Sequence, residues 1–310
     1  MTVSAAPAWT VVLVAVLVAA GATAAAVLDA LLDPAGRAAP VGLRAGRPVW
    51  EAARLMRQRR RTTSLPDALL WRAGTALPLL VALLMAVVVP VGSAVAADVS
   101  VGLVWFNAMD VLLWAAFWLA GWGPNSVYGL VGGYRFLAQA LAYELPLMFA
   151  LTAPAVAASS LRVGDVVAAQ QHGWFVLQMP VAAVVFLGSV AGFSVWGPFS
   201  YPNGPDIAGG VVAETSGADR LLLLVGRYAL LAAGSAMAVA LFLGGGAGPF
   251  LPGWVWSLVK TGLVLAMLVW WRRRQPVWRA DEVMRAAWLV VLPLTLLQVL
   301  FVSVLAVRGG

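Results

Sequence analysis

The chain has no cysteine and a single histidine, His172, among 310 residues. Without thiols it can form no disulfide, thiolate metal site or iron–sulfur cluster of its own, and one imidazole does not make a multi-histidine metal centre or a haem site. Charge is scarce too. Only 11% of residues are Asp, Glu, Lys or Arg, where a soluble domain carries about a quarter. Lysine occurs once, at Lys260, against nineteen arginines, and with the abundant Ala, Val and Gly this suggests a GC-rich bacterial genome.

What fills the sequence instead is apolar: 62% hydrophobic residues and a mean hydropathy of +0.91. Eight stretches reach the roughly 20 residues that a helix needs to cross a hydrocarbon core. They lie near residues 9–32, 76–97, 101–122, 137–158, 175–196, 221–244, 254–271 and 287–307. The first lacks a basic n-region and is too long for a signal h-region, so it reads as a retained helix. The expected fold is an all-α polytopic membrane protein, a single membrane domain over residues 1–310, in a bacterial plasma membrane. Alternate loops on one side hold sixteen arginines and the others only Arg162 and Arg308. By the positive-inside rule both termini lie outside and the long first loop is cytoplasmic. The net charge of +7 is explained by those loops and does not call for nucleic acid. The bilayer is the first partner the composition implies.

Within the first loop, PVWEAARLMRQRRR places Val49, Ala52, Ala53 and Met56 on one helical side and Arg54, Arg57 and Arg61 on another. This predicts an interfacial amphipathic helix in the first cytoplasmic loop. Its arginines either anchor the loop to anionic headgroups or present a docking surface to a cytoplasmic partner. Inside or near the spans stand Asp110, Glu144, Arg227 and Lys260, with Asp29 close enough to a span end to be solvated. Two acids against two bases can form buried ion pairs that fix packing, or a polar track along which protonation shifts. Gln139 and Tyr143 share a stripe at i, i+4, and Glu144 follows about 100° round, which turns this side of the helix toward protein.

The stretch GWGPNSVYGLVGGYRFLAQALAYELPL, residues 121–147, resembles the most recognisable segment of the H-subunit family of NADH–quinone oxidoreductase, known in mitochondrial complex I as subunit 1. GPFSYP at 197–202, AETSG at 213–217, LFLGGGAGPFLPG followed by LVKTG, and DEVMRAAWLVVLPLTL at 281–296 are similar to later motifs of that family, in order. The resemblance covers about the last two-thirds of the chain. It implies a component that joins a membrane arm to a redox arm, whose loops help form a quinone chamber and whose buried carboxylates begin a proton path. The resemblance makes Glu144 and Lys260 expected proton-coupling residues, and the polar track read from the spans adds Asp110 and Arg227 to them. Arg135, Gln139, Phe199, Asp206 and Glu214 are the chamber or loop candidates. The chain would bind no cofactor itself, quinone being the substrate of the whole complex, and its partners would be cluster-bearing cytoplasmic subunits and other membrane-arm subunits.

The chain departs from the family pattern at several points. Ser200 and Asn203 replace loop acids, leaving Asp206, and Arg227 stands before Tyr228 where the family carries a glutamate. The first loop is shortened. Three readings follow: a diverged complex I subunit, the equivalent subunit of a membrane-bound hydrogenase or formate hydrogenlyase, or a non-coupling membrane anchor. None makes the chain a catalyst alone, since GGGAG at 244–248 follows no strand as a dinucleotide fingerprint requires.

Overall fold

Long apolar runs without water to satisfy their backbone must close their hydrogen bonds internally, and this chain does so as helices. In the computed structural model, which describes residues 3–34, 38–204 and 209–309, the helices are α1 (Thr10–Leu32), α2 (Val41–Arg57), α3 (Ala68–Ala86), α4 (Gly102–Trp122), α5 (Val127–Ala158), α6 (Val163–Ala169), α7 (Phe175–Gln178), α8 (Pro180–Phe193), α9 (Gly217–Phe242), α10 (Gly253–Arg272), α11 (Ala280–Ala286) and α12 (Leu292–Gly309). Among the described residues eight segments are long and apolar enough to cross a membrane. The fold is therefore the expected all-α polytopic one. Several boundaries differ from the sequence reading.

The hydropathy of the sequence puts the second span at 76–97, whereas α3 runs from Ala68 to Ala86. Asp67 starts it by accepting from the Leu70 N–H. The apolar stretch beyond Ala86 is not helix: Pro90 and Gly92, with φ 65°, turn the chain, and Ala94–Val95 (β2) pairs in parallel with Ser4–Ala5 (β1). The fourth span begins ten residues before the expected 137, at Val127. Its extra turns bury Gly129, Gly132 and Gly133. The last span is α11 and α12 joined through a π turn at Ala287–Val291. Pro293, just after it, cannot donate to the carbonyl four residues back, which is a common cause of such widened turns.

Five helices close a ring, α3 against α4, α4 against α5, α5 against α8, α8 against α9, and α9 back against α3. Aromatic side chains fill its interior. Phe106 lies 6.1 Å from Phe186 and 6.3 Å from Phe193, and Phe117 stacks on Phe136 at 4.1 Å. Outside the ring, α1 and α10 pack on α9, and α11 and α12 on α5. Exposure follows those layers: 72% of the α9 span is buried, against 17% for α1 and 11% for the last span.

The interfacial helix is longer than PVWEAARLMR, starting at Val41 and packing on α1 and α9 with Leu55 buried. Arg61 is not on it. The helix ends at Arg57, and the Arg61 N–H donates to Ser216 Oγ at 2.7 Å. Val49 and Met56 are exposed on one side, while Leu43 and Trp50 are exposed beside Arg47, Arg54 and Arg57 on another. A forked pair of hydrogen bonds from Arg54, 2.8 and 2.6 Å, holds the Glu51 carboxyl below the usual range.

Small residues let the ring helices approach, the general device of membrane packing. A Cβ at Gly74 would lie 2.7 Å from the Ala116 carbonyl oxygen and collide with the Ala120 backbone nitrogen. Gly74→Val should lower stability by about 1–3 kcal/mol through overpacking, seen as a drop in unfolding temperature in detergent. Gly262→Ala, where a Cβ meets nothing within 4 Å, should not, and equal effects would refute this packing account.

Candidate functional site

The two intramembrane acids meet. Asp110 on α4 is fully buried, and Glu144 on α5 is half-buried in the same polar cluster. Asn107, one turn before Asp110, donates from Nδ2 to Glu144 Oε1 at 3.0 Å, and the Tyr143 hydroxyl donates to Asp110 Oδ1 at 3.4 Å. The remaining oxygens, Asp110 Oδ2, Glu144 Oε2 and Asn107 Oδ1, are buried and have no hydrogen-bond partner. Close contact of α5 with α8 makes the site possible. A Cβ at Gly192 would stand 2.8 Å from the Tyr143 ring, so glycine there leaves the ring its place. Gln139, buried one turn earlier on α5, donates to the Gly192 carbonyl at 2.9 Å and thus ties α5 to α8.

Neither intramembrane base joins the acids. The Arg227 guanidinium, buried in α9, donates from Nε to the Ser194 carbonyl at 3.2 Å and from Nη2 to the Val195 carbonyl. These lie at the C-terminal end of α8, where a helix leaves carbonyls unsatisfied and its dipole favours a cation. Lys260 does the same for α9. Its ammonium donates to the carbonyls of Leu243, Gly245 and Ala247 at 2.6, 3.1 and 2.7 Å and lies 4.5 Å over the Trp174 ring. The ion pairs that the sequence allowed between these bases and Asp110 or Glu144 are absent among the described residues.

Asp29 is the second correction. Read from the sequence as a solvated residue at a span end, it is 7% exposed and is the hub of an ion-pair network. Arg272 reaches its Oδ2 at 2.8 Å, Arg273 its Oδ1 at 2.7 Å, and the Tyr228 hydroxyl donates to Oδ2 at 3.2 Å. Arg273 also pairs with Asp33 at 3.3 Å, and Arg47 of α2 with Asp33 at 2.9 Å. Arg272 stacks 4.5 Å from the Trp196 ring. This network pins α1, α2, α9 and α10 together. The signal in the sequence is Asp29 and Asp33 at i, i+4 facing the adjacent Arg272–Arg273 pair.

The loop candidates fall into separate places. Arg135 donates from Nη1 to the Gly209 carbonyl at 2.6 Å and lies 4.0 Å over the Tyr201 ring. Glu214 accepts from Ser126 Oγ at 2.6 Å. Both therefore tie the start of α5 to the 197–216 loop. Phe199 packs instead between Trp271 and Trp278, at 6.3 and 5.8 Å. Asp206 lies outside the described residues. Asn107, which sequence reasoning missed, carries a legible signal, being a lone amide three residues before Asp110 in an apolar helix.

Lys260→Met would strip the buried Gly245 carbonyl and the half-buried Leu243 and Ala247 carbonyls of their donor, at about 1–3 kcal/mol for an unsatisfied group. The unfolding temperature should fall while turnover per assembled protein stays the same. A turnover loss at unchanged stability would return Lys260 to the proton path.

Comparison with known proteins matches the sequence to a family. A family model described as NADH dehydrogenase matches residues 4–303. An H subunit of NADH-quinone oxidoreductase from Geobacter sulfurreducens, the one numbered 2, is 38% identical over 66% of this chain and 62% of its own length. Its namesake from Cereibacter sphaeroides, also numbered 2, is 38% identical over 69% of this chain and 68% of its own length, and the H subunit from Geobacillus kaustophilus 34% over 67% and 64%. The matched region thus spans less than two thirds of the Geobacter relative. Because the family match runs from the N-terminal strand into the last helix, the chain belongs to the NADH dehydrogenase family.

Proposed function

We propose that the protein is the H subunit of a complex I-like NADH-quinone oxidoreductase, and that Asp110 and Glu144 form its proton-holding pair within the membrane. The observation that carries the second part is that the fully buried Asp110 and the half-buried Glu144 share one polar cluster with Asn107 and Tyr143, while Arg227 and Lys260 are engaged elsewhere. Two neighbouring carboxylates resist being ionised together, the more so when one of them is cut off from water. A proton held between Asp110 Oδ2 and Glu144 Oε2 would satisfy two of the orphaned oxygens. Such a pair can take up or release that proton as its surroundings change, which is the chemistry a coupling site needs. Arg227 and Lys260 then act as helix-end caps rather than as steps of the path. Quinone is the proposed substrate of the assembled complex, with Arg135, Glu214 and the 197–216 loop on the side of the chamber.

In this reading both termini face outward, in a bacterial plasma membrane, and α2 with the following strap to Asp67 faces the cytoplasm. The arginine distribution supports that orientation. So does α2, which leaves Leu43 and Trp50 exposed beside arginines, a surface suited to an acidic cytoplasmic partner. Since the chain has no native cysteine, Gln58→Cys and Gln275→Cys each give a unique label. Both should react from the cytoplasmic side of sealed vesicles, and reaction of either from outside would invert the orientation.

Glu144→Gln keeps the shape and the Asn107 contact but removes the titratable proton. The complex should assemble, and proton-coupled quinone reduction in native membranes should fall by about 10²-fold, the lower end of what a positioned proton-transfer group supplies. Arg227→Gln or Lys260→Gln added to it should restore nothing. Failed assembly in Glu144→Gln, rescued by either second change, would instead reveal an ion pair, and undiminished turnover would leave the pair without this role.

A further inference from the structure

A cleft of about 510 Å³ lies between α5, α8, α10 and α11, on the outside of the ring, with Tyr143 standing between it and Asp110. Pro146, Gly188, Met267, Trp270, Val283 and Val291 are among its walls. Its hydroxyls are already engaged: Ser189 donates to the Val185 carbonyl at 3.0 Å and Tyr143 to Asp110. A site of this size and composition makes no polar demand on its occupant. It is formed by membrane-spanning helices, and Val184, Met267 and Trp270 on its margin are exposed. Water gains nothing in an apolar cavity, and an empty one forfeits dispersion contacts along its whole wall.

The rim adds a charge. Arg274, directly after α10, is exposed and lies 5.2 Å from the ring of Trp270. Its neighbours Arg272 and Arg273 are paired with Asp29, and Arg279 with Asp281, but Arg274 has no carboxylate among the described residues. Phe199, Trp271 and Trp278 brace that end, and the Trp278 N–H donates to the Pro198 carbonyl at 2.8 Å. An apolar slot beneath a free guanidinium and an aromatic rim matches an acyl chain below a phosphate. We infer that this cleft holds one chain of an anionic phospholipid, with the phosphate at Arg274, as a built-in lipid of the protein. The inference does not depend on the coupling role of Asp110 and Glu144.

Gly188 supplies a clean test, because a Cβ there meets nothing within 4 Å although the residue lines the cleft. Gly188→Leu should fill the slot and leave the unfolding temperature unchanged or higher. The native assembly is placed in phosphatidylglycerol vesicles containing a trace of phosphatidylglycerol with a photoreactive acyl chain, then irradiated and mapped by peptide. Label should appear at Met267 or Val184, fall at least fivefold in Gly188→Leu, and stay in Gly262→Leu, which changes the separate groove between α1 and α10. Arg274→Gln should reduce labelling by phosphatidylglycerol to the level of phosphatidylcholine. Equal labelling of Gly188→Leu and the unaltered protein would overturn the inference. So would displacement of the label by a photoreactive isoprenyl quinone, or a cross-link from a benzophenone at position 184 to a helix of another protein in the assembly, since either would show a different occupant.

Discussion

Among the described residues, every cation buried inside this bundle is committed before it can reach Asp110 and Glu144. Arg227 closes the end of α8, Lys260 the end of α9, and Arg272 and Arg273 converge on Asp29. In water a helix end satisfies its last carbonyls at no cost, but within a membrane each one needs a donor from the protein. The bases serve that need, and the helix dipole adds to the attraction. Asp110 and Glu144 are thereby left to each other, to Asn107 and to Tyr143. The chemistry open to the site follows from that isolation.

The architecture maintains it. The five-helix ring places α4 beside α5 so that residues 107, 110, 143 and 144 converge. Gly192 gives Tyr143 room, and Gln139 holds α8 at the distance this requires. Outside the ring, the Asp29 network fixes α1, α2 and α10 against α9. One set of charges thus holds the periphery together while the interior carries the two acids proposed to share a proton. The same layering leaves the apolar cleft beside α5, where the outer helices diverge from the ring.

Much of this was legible in the residues. Glu144 and Asp110 stand out because a carboxyl in an apolar run needs a reason, and the eight spans follow from length and hydropathy. The pairing was not legible. The acids lie on different helices, and the partners of Arg227 and Lys260 are backbone carbonyls, which no sequence motif marks. Counting two acids against two bases invited ion pairs that the helix ends had already forestalled. Asp29 looked solvated because its distance from a span end said nothing of the arginines that return beside it from α10. The second span slid by eight residues because VVVPVGSAVAADV is apolar enough for a membrane, yet Pro90 and Gly92 turn it into a loop that pairs with the N-terminal strand.

The central claim is that Asp110 and Glu144 hold a proton between them with no cation in attendance. Infrared difference spectroscopy of the protein in membranes reads it directly, through the carbonyl stretch of a protonated carboxyl at neutral pH. The account predicts one such band in the unaltered protein, shifted by deuterium and lost or displaced in both Glu144→Gln and Asp110→Asn, but unchanged in Arg227→Gln. A spectrum with only ionised carboxylates, or a band indifferent to both substitutions, would contradict it.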